Sequence, residues 1–216
     1  MRRVYASMES RLVLPLLEKA KIVIITGSGD PFASKTFRNV MKELTAEKYP
    51  NLRFRIMTNA MLLTPQQWNE FPSLHYRIEE LKVSVDAAHG PTHERLRRGA
   101  KWSTMMDNLI FAGELTAKGY VEKFELSFVV QKDNYREMGD FVDLARAVGA
   151  GRVYFARLMN WEQFSDAQYG DMAVFLPQHP QHGDFLAEMQ DVRLLDPMVW
   201  LGNLGGFVRN PRHEAA

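Results

Sequence analysis

Two periodicities of apolar residues alternate along this chain. Short runs that are continuously apolar or have a period of two predict β-strands, and apolar residues three and four positions apart predict amphipathic helices. The predicted strands cover residues 21–26, 52–59, 81–86, 124–130 and 153–158. A helical pattern separates each strand from the next, and another precedes the first over residues 6–20. This order predicts an α/β protein whose parallel strands are joined by right-handed crossovers.

Three of the predicted strands have one apolar face and one polar face. The polar faces carry Arg53, Arg55, Met57, Asn59, Lys82, Ser84, Asp86, Glu125, Ser127 and Gln131. Helices on both sides of a flat sheet would require both faces to be apolar. The pattern therefore favours a partial (βα) barrel, with helices on its convex side and a partly wet concave side. We expect Lys82 and Glu125 to pair across adjacent strands there, in a structural or a functional role.

The first predicted strand differs, because residues 22–25 are all apolar and are expected to be buried on both faces. The chain then continues with Gly27, Ser28, Gly29, Asp30 and Pro31. Glycines allow a sharp turn and a close approach to a ligand, and a carboxylate can hold a charged amine. Ligands of α/β proteins bind at this edge of the sheet. An ordinary strand-to-helix turn is the alternative interpretation.

The regular alternation ends at about residue 160. Two short helices are expected over residues 164–175 and 185–189, with caps at Ser165 and Asp184. We accordingly divide one domain into a barrel over residues 1–161 and a helical or irregular extension over residues 162–216. A length of 216 residues with 46% apolar content suits a single core.

Charge and cysteine content narrow the classes of function. The 27 basic and 26 acidic residues are interspersed, which argues against a nucleic-acid partner. No apolar run approaches the roughly 20 residues of a membrane span, and the start lacks the apolar core of a signal peptide. We therefore expect a cytoplasmic protein without membrane contact. The absence of cysteine excludes disulfides, thiolate catalysis and any cluster ligated by cysteines of this chain.

The motifs at the strand ends, taken in order over residues 22–161, resemble those of the radical S-adenosylmethionine (SAM) superfamily. They are Ser28-Gly29-Asp30-Pro31, similar to the family's Gly-Gly-Glu-Pro; Thr58-Asn59-Ala60, similar to its Thr-Asn-Gly; Ser84-Val85-Asp86-Ala87; the stretch from His93 to Gly99; Asn134; and Ala147-Val148-Gly149. The sequence from Gly27 to Phe32 resembles that of a subgroup whose members often carry a C-terminal SPASM-type cluster domain.

The resemblance implies roles for individual residues. The glycine-rich turn would meet the amino group of the methionine moiety of SAM, Ser84 and Asp86 its ribose or carboxylate, and Arg97 or Arg98 its carboxylate. Gln131 and Leu158 would lie near ribose and adenine. The cofactor-binding residues expected on this basis are Gly27, Ser28, Gly29, Asp30, Pro31, Asn59, Ser84, Asp86, Arg98, Gln131 and Leu158. No metal site is predicted.

The chain departs from the family in one essential respect. Family members hold a [4Fe-4S] cluster through a Cys-x3-Cys-x2-Cys loop after their first strand, and this chain has no cysteine. We therefore expect a truncated or degenerate member that lacks its opening βα unit, with residues 1–20 as the helix that follows the cluster loop. Its intact form would use SAM and the cluster for radical chemistry on a peptide or a small molecule.

Two other functions are compatible with these residues. The chain could be a non-catalytic module that binds SAM, another ligand or a partner protein. It could also be an unrelated α/β-barrel enzyme that uses Lys82, Asp86 and Glu125 for acid/base chemistry on a phosphorylated or carbonyl substrate. A partial barrel that lacks its first strand would expose the apolar edge of the strand over residues 21–26, which predicts a dimer, aggregation, or capping of this edge by the N-terminal segment.

Overall fold

A computed structural model of the chain describes residues 17, 19–26 and 29–208. Most of the helix expected over residues 6–20, and Gly27 and Ser28 of the glycine-rich turn, lie outside these residues. Six parallel strands form one sheet in the order of the sequence. The strands are β1 (Ile22–Ile25), β2 (Arg53–Thr58), β3 (Ile78–Ser84), β4 (Val121–Val130), β5 (Arg152–Arg157) and β6 (Val199–Trp200).

The connections between the strands contain α-helices and short 3₁₀ turns. The helices are α1 (Lys35–Glu43), α2 (Pro65–Trp68), α3 (Gly90–Leu96), α4 (Trp102–Ala117), α5 (Met138–Ala147), α6 (Asp166–Met172) and α7 (His182–Glu188). Each connection adds the next strand on the same side of the sheet, so right-handed crossovers place the connecting helices on one face. This confirms the predicted α/β fold, a partial barrel of parallel strands. No helix of the described part of the chain is long and apolar enough to cross a membrane.

The alternation within the strands sets the two faces of the sheet. Phe54 and Ile56 are buried in the core beneath the helices, whereas Met57 between them and the strand end is 41% exposed. On β3, Leu81 and Val83 are fully buried while Lys82 lies on the other face. The prediction of an apolar convex face and a polar, partly wet concave face is confirmed for these strands.

The expectation that β1 is buried on both faces is wrong. Ile25 is buried, but Ile22 is exposed and Ile24 is 61% exposed. Ile24 is the register partner of Arg55, so it lies on the concave face. Within the described residues β1 pairs only with β2, which leaves its other edge unpaired. Self-association through this edge stays a prediction.

Beyond β5, the sequence pattern predicted the helices but not the last strand. Ser165 caps α6: its hydroxyl accepts from the Gln168 backbone amide, and the Gln168 side chain accepts from the Ser165 backbone amide, which is a capping box. The cap of α7 is Gln181, so the expectation of a cap at Asp184 is wrong; Asp184 lies in the first turn of that helix. β6 has two residues and shows no periodicity of its own. The division of the chain at residue 161 stays a prediction.

Two glycines in helices should respond to alanine in opposite ways. A Cβ on Gly113 of α4 would overlap the backbone carbonyl of Val148, whereas a Cβ on Gly170 of α6 would meet open space. Alanine in a helix gains about 0.5–1 kcal/mol over glycine, but overpacking costs about 1–3 kcal/mol. In urea denaturation we expect Gly113→Ala to destabilise the protein and Gly170→Ala to stabilise it slightly. Equal effects of the two changes would contradict the close packing of α4 on the end of α5.

Candidate cofactor site

Two adjoining cavities open at the carboxyl ends of β1, β2 and β3. The smaller has a volume of about 310 Å³ and the larger about 560 Å³. Asn59, Ser84 and Arg97 line both of them, so they form one continuous recess. Gly29 and Asp30 line the smaller cavity. This is the edge of a parallel sheet at which ligands usually bind.

Asp30 fastens the turn after β1 to the end of β2. Its carboxylate accepts hydrogen bonds from Thr58 Oγ1 at 2.5 Å, from the Asn59 amide at 2.8 Å and from the Phe32 amide at 2.9 Å. Gly29 before it has φ = +94°, which glycine adopts without strain. A carboxylate can accept about four hydrogen bonds, so these three leave Asp30 able to accept one more from a ligand.

Asp86 serves mainly to join the ends of β3 and β4. Its carboxylate accepts from Arg97 Nη2 at 2.6 Å and from the Val129 amide at 2.8 Å. Its backbone has φ = +62°, a strained conformation that these contacts hold in place. The buried Asn134 side chain donates to the Asp86 and Val129 carbonyl oxygens, both at 2.9 Å. Any contact of Asp86 with SAM stays a prediction.

The two arginines after α3 have different surroundings. Arg97 forms an ion pair with Asp86. Arg98 is exposed and lines the larger cavity, and it forms no ion pair with any residue of the described part of the chain. Arg98 is therefore the cation at this recess whose donors are available to an anionic group.

His93, the first residue of the motif from His93 to Gly99, also borders the larger cavity, although the sequence assigned it no role there. Its ring is fully buried beside Trp102, and Nδ1 lies 2.9 Å from the Val85 carbonyl oxygen. Burial lowers the pKa of His93, and the hydrogen bond to Val85 opposes that shift only in part. The ring is then neutral near pH 7, Nδ1–H donates to Val85, and Nε2 has no partner among the described residues. Its position in α3, four residues before Arg97, was the available signal that His93 lies near the recess.

Among the predicted residues that the structure describes, four line neither cavity: Pro31, Asp86, Gln131 and Leu158. Gln131 follows β4, and its backbone amide donates to Asn134 Oδ1. The carbonyl oxygen of Leu158, which follows β5, accepts from the Tyr169 hydroxyl at 3.1 Å. Pro31 is buried. Of the predicted set, the structure brings together five residues at the recess: Gly29, Asp30, Asn59, Ser84 and Arg98.

The predicted pairing on the concave face is confirmed. Lys82 Nζ lies 2.5 Å from Glu125 Oε1, and the two residues are register partners on β3 and β4. Burial lowers the pKa of the Lys82 ammonium, Glu80 raises it, and Arg152 lowers it. Among the described residues no group of three or more His, Asp and Glu side chains is arranged to hold a metal ion.

Comparison with known proteins identifies the fold. No protein-family model matches the chain, and no curated protein matches it either. Among solved structures, it resembles TYW1 with a lysine-pyruvate adduct bound, with a TM-score of 0.53 over 89% of this chain and 17% identity. It also resembles Streptococcus suis SuiB, with a TM-score of 0.50 over 67% of this chain and 17% identity. These proteins are radical SAM enzymes.

The chain shares the α/β partial-barrel fold of these proteins. At 17% identity the likeness extends to the fold alone. The chain spans 57% of the TYW1 chain and 31% of the SuiB chain. The activities of those whole proteins are therefore not transferred by the comparison.

Proposed function

We propose that this chain is a radical SAM-like protein that binds SAM in the recess at the carboxyl ends of β1–β3. One observation carries the proposal. Five of the residues that the motif resemblance implies for the cofactor line two adjoining cavities, with Asp30 at the smaller and, at the larger, Arg98, which forms no ion pair within the described residues. A zwitterionic amino acid requires such a pair of opposite charges.

The donors and acceptors present in the recess suit the parts of SAM. Asp30 has acceptor capacity for the ammonium group, and Arg98 can bind the carboxylate through two parallel hydrogen bonds. The Ser84 hydroxyl and the Asn59 amide suit ribose hydroxyls, which both donate and accept. A volume of about 560 Å³ for the larger cavity alone is within the usual range for small-molecule sites.

The residues do not fit the second cofactor of the family. A [4Fe-4S] cluster is held by cysteine thiolates, and the chain has none. In radical SAM enzymes the cluster supplies the electron that cleaves SAM, so this chain's own residues support binding and orientation of SAM and no radical step. Whether the substrate is a peptide or a small molecule stays a prediction.

Isothermal titration of SAM into the purified chain tests this proposal. We expect a micromolar dissociation constant, about −8 kcal/mol. Arg98→Ala removes hydrogen bonds to a charged group, which are worth about 1.5–3 kcal/mol, and should weaken binding about 10- to 100-fold. The matched control is Arg95→Ala, because Arg95 is exposed and contacts Asp133 on the surface instead of lining the recess.

Three results would overturn the proposal. They are no binding of SAM to the wild-type chain, unchanged affinity in Arg98→Ala, and an equal loss of affinity in Arg95→Ala. Melting temperatures of both variants check that the fold is retained.

A further inference from the structure

The larger cavity of the cofactor recess has a basic lining. His93, Arg97 and Arg98 line it, and none of the described residues that line it is acidic. The proposed function assigns a role to Arg98 alone among these three. Two buried atoms of the others, His93 Nε2 and Arg97 Nε, have no hydrogen-bond partner within the described residues. Buried polar groups nearly always have a partner, so this pair indicates a group that the recess receives from outside.

The hydrogen bond at the other ring nitrogen decides what His93 can offer to a ligand. The Val85 carbonyl oxygen can only accept, so Nδ1, which lies 2.9 Å from it, carries a hydrogen. Nε2 is then an acceptor in the neutral ring and a donor in the protonated ring. An anion beside Nε2 is repelled by the lone pair of the neutral ring, whereas it accepts a charge-assisted hydrogen bond from the protonated ring.

The groups around His93 keep its ring neutral until an anion arrives. Burial is the largest influence on the pKa of His93 and lowers it. Among the nearby charges, Arg97 lowers the pKa further, and Asp86 and Glu94 raise it less than burial lowers it. Helix α4 presents the uncharged Trp102, at 5.3 Å between the ring centres. A negative charge within about 4–6 Å favours the charged form of a base, and so opposes the effect of burial.

We propose that His93 takes up a proton from solvent when an anionic group occupies the larger cavity, and that Nε2 donates to this anion together with Arg98. The inference rests on the proposed function, in which the anion is the carboxylate of SAM. Nδ1–H keeps its bond to Val85, and Arg97 Nε offers a further donor to the same group. Proton and anion then strengthen the binding of each other by the same factor. His93 thereby selects ligands that carry an anionic group over neutral analogues of the same shape.

Calorimetric titration with SAM near neutral pH, in two buffers of different ionisation enthalpy, counts the protons taken up on binding. His93→Asn keeps a donor near Val85 but has no counterpart of Nε2. We expect the wild-type chain to take up about 0.5 to 1 proton more per bound SAM than His93→Asn. Its affinity should also rise as the pH falls, by up to about 10-fold per pH unit more than in the variant, because its complex binds more protons. The ammonium group of SAM contributes equally in both proteins, so only the difference is diagnostic.

The matched control is His75→Asn. His75 also has an unpartnered Nε2, but it stacks on Trp68 and lines neither cavity, so proton uptake should stay at the wild-type value. Equal proton uptake in the wild-type chain and His93→Asn would overturn the proposal while leaving SAM binding itself intact. A loss of affinity in His93→Asn without a change in proton uptake would also overturn it, because Nε2 would then accept from a hydroxyl of SAM.

A second measurement on the wild-type chain needs neither SAM nor a variant that folds. The His93 ring is followed by NMR during a pH titration, and is assigned through its contact with Trp102. The titration is run in sodium sulfate and in sodium chloride of equal ionic strength. We expect sulfate to move the midpoint of the His93 titration to higher pH. An unchanged midpoint would overturn the proposal, whereas failure of SAM to bind would overturn the proposed function.

Discussion

Replacing Arg77 with methionine is expected to lower the free energy of unfolding by about 3–5 kcal/mol. The guanidinium is buried, stands over the Phe54 ring, and donates to four backbone carbonyl oxygens. They belong to Leu44, Tyr49, Leu52 and Ser73, at 2.6 to 3.1 Å. Methionine has similar length but no donor, so it would leave several buried acceptors without partners, each at a cost of about 1–3 kcal/mol.

Urea denaturation of Arg77→Met and of Arg136→Met measures this effect. Arg136 pairs with Asp184, and both side chains are more than half exposed, so its loss should cost less than about 1 kcal/mol. A cost below about 1 kcal/mol for Arg77→Met would mean that the start of β3 is not joined to the α1–β2 connection in this way.

The second large effect is expected at Asp30. Asp30→Ala removes the shared acceptor of the Thr58 hydroxyl and of two backbone amides, and should lower the free energy of unfolding by about 2–4 kcal/mol. The same change removes the carboxylate assigned to the SAM ammonium, so affinity for SAM should fall about 10-fold or more. Denaturation and titration of one preparation measure both quantities.

Thr58→Val distinguishes loss of the carboxylate from loosening of the turn. It removes the hydroxyl that bonds to Asp30 and to the Ala60 amide but leaves the carboxylate in place. We expect it to cost about 1 kcal/mol of stability and to change the affinity for SAM by less than about threefold. Equal losses of affinity in the two variants would show that Asp30 acts only on the shape of the turn.

The sequence predicts the parts of the fold that depend on local periodicity. The alternation correctly placed Phe54 and Ile56 of β2 on the face covered by helices, and Lys82 and Ser84 of β3 on the opposite face. A period of two assigns successive residues of a strand to opposite faces of the sheet. It was wrong for Ile24, since a run of apolar residues does not reveal what covers each face of the strand. Two-residue β6 is held by β5 and has no pattern of its own.

The sequence named five residues that line the recess, Gly29, Asp30, Asn59, Ser84 and Arg98, but not the contacts that hold the recess together. Asp30 and Thr58 are 28 positions apart, and only the packing of β1 beside β2 joins them. The burial of His93, and with it the lowered pKa, also arises from tertiary packing. Arg97, and not Arg98, forms the ion pair with Asp86, which the sequence did not distinguish. Such long-range pairings carry no local signal in a single sequence.

We propose that the recess recognises the amino acid moiety of SAM. A paired calorimetric titration of the wild-type chain tests this, with SAM and with 5′-methylthioadenosine, which has the same nucleoside but lacks the amino acid moiety. Contacts of Asp30 and Arg98 with the ammonium and carboxylate groups predict that SAM binds about 10-fold tighter or more. Equal affinity for the two compounds, or no binding of SAM, would contradict the account.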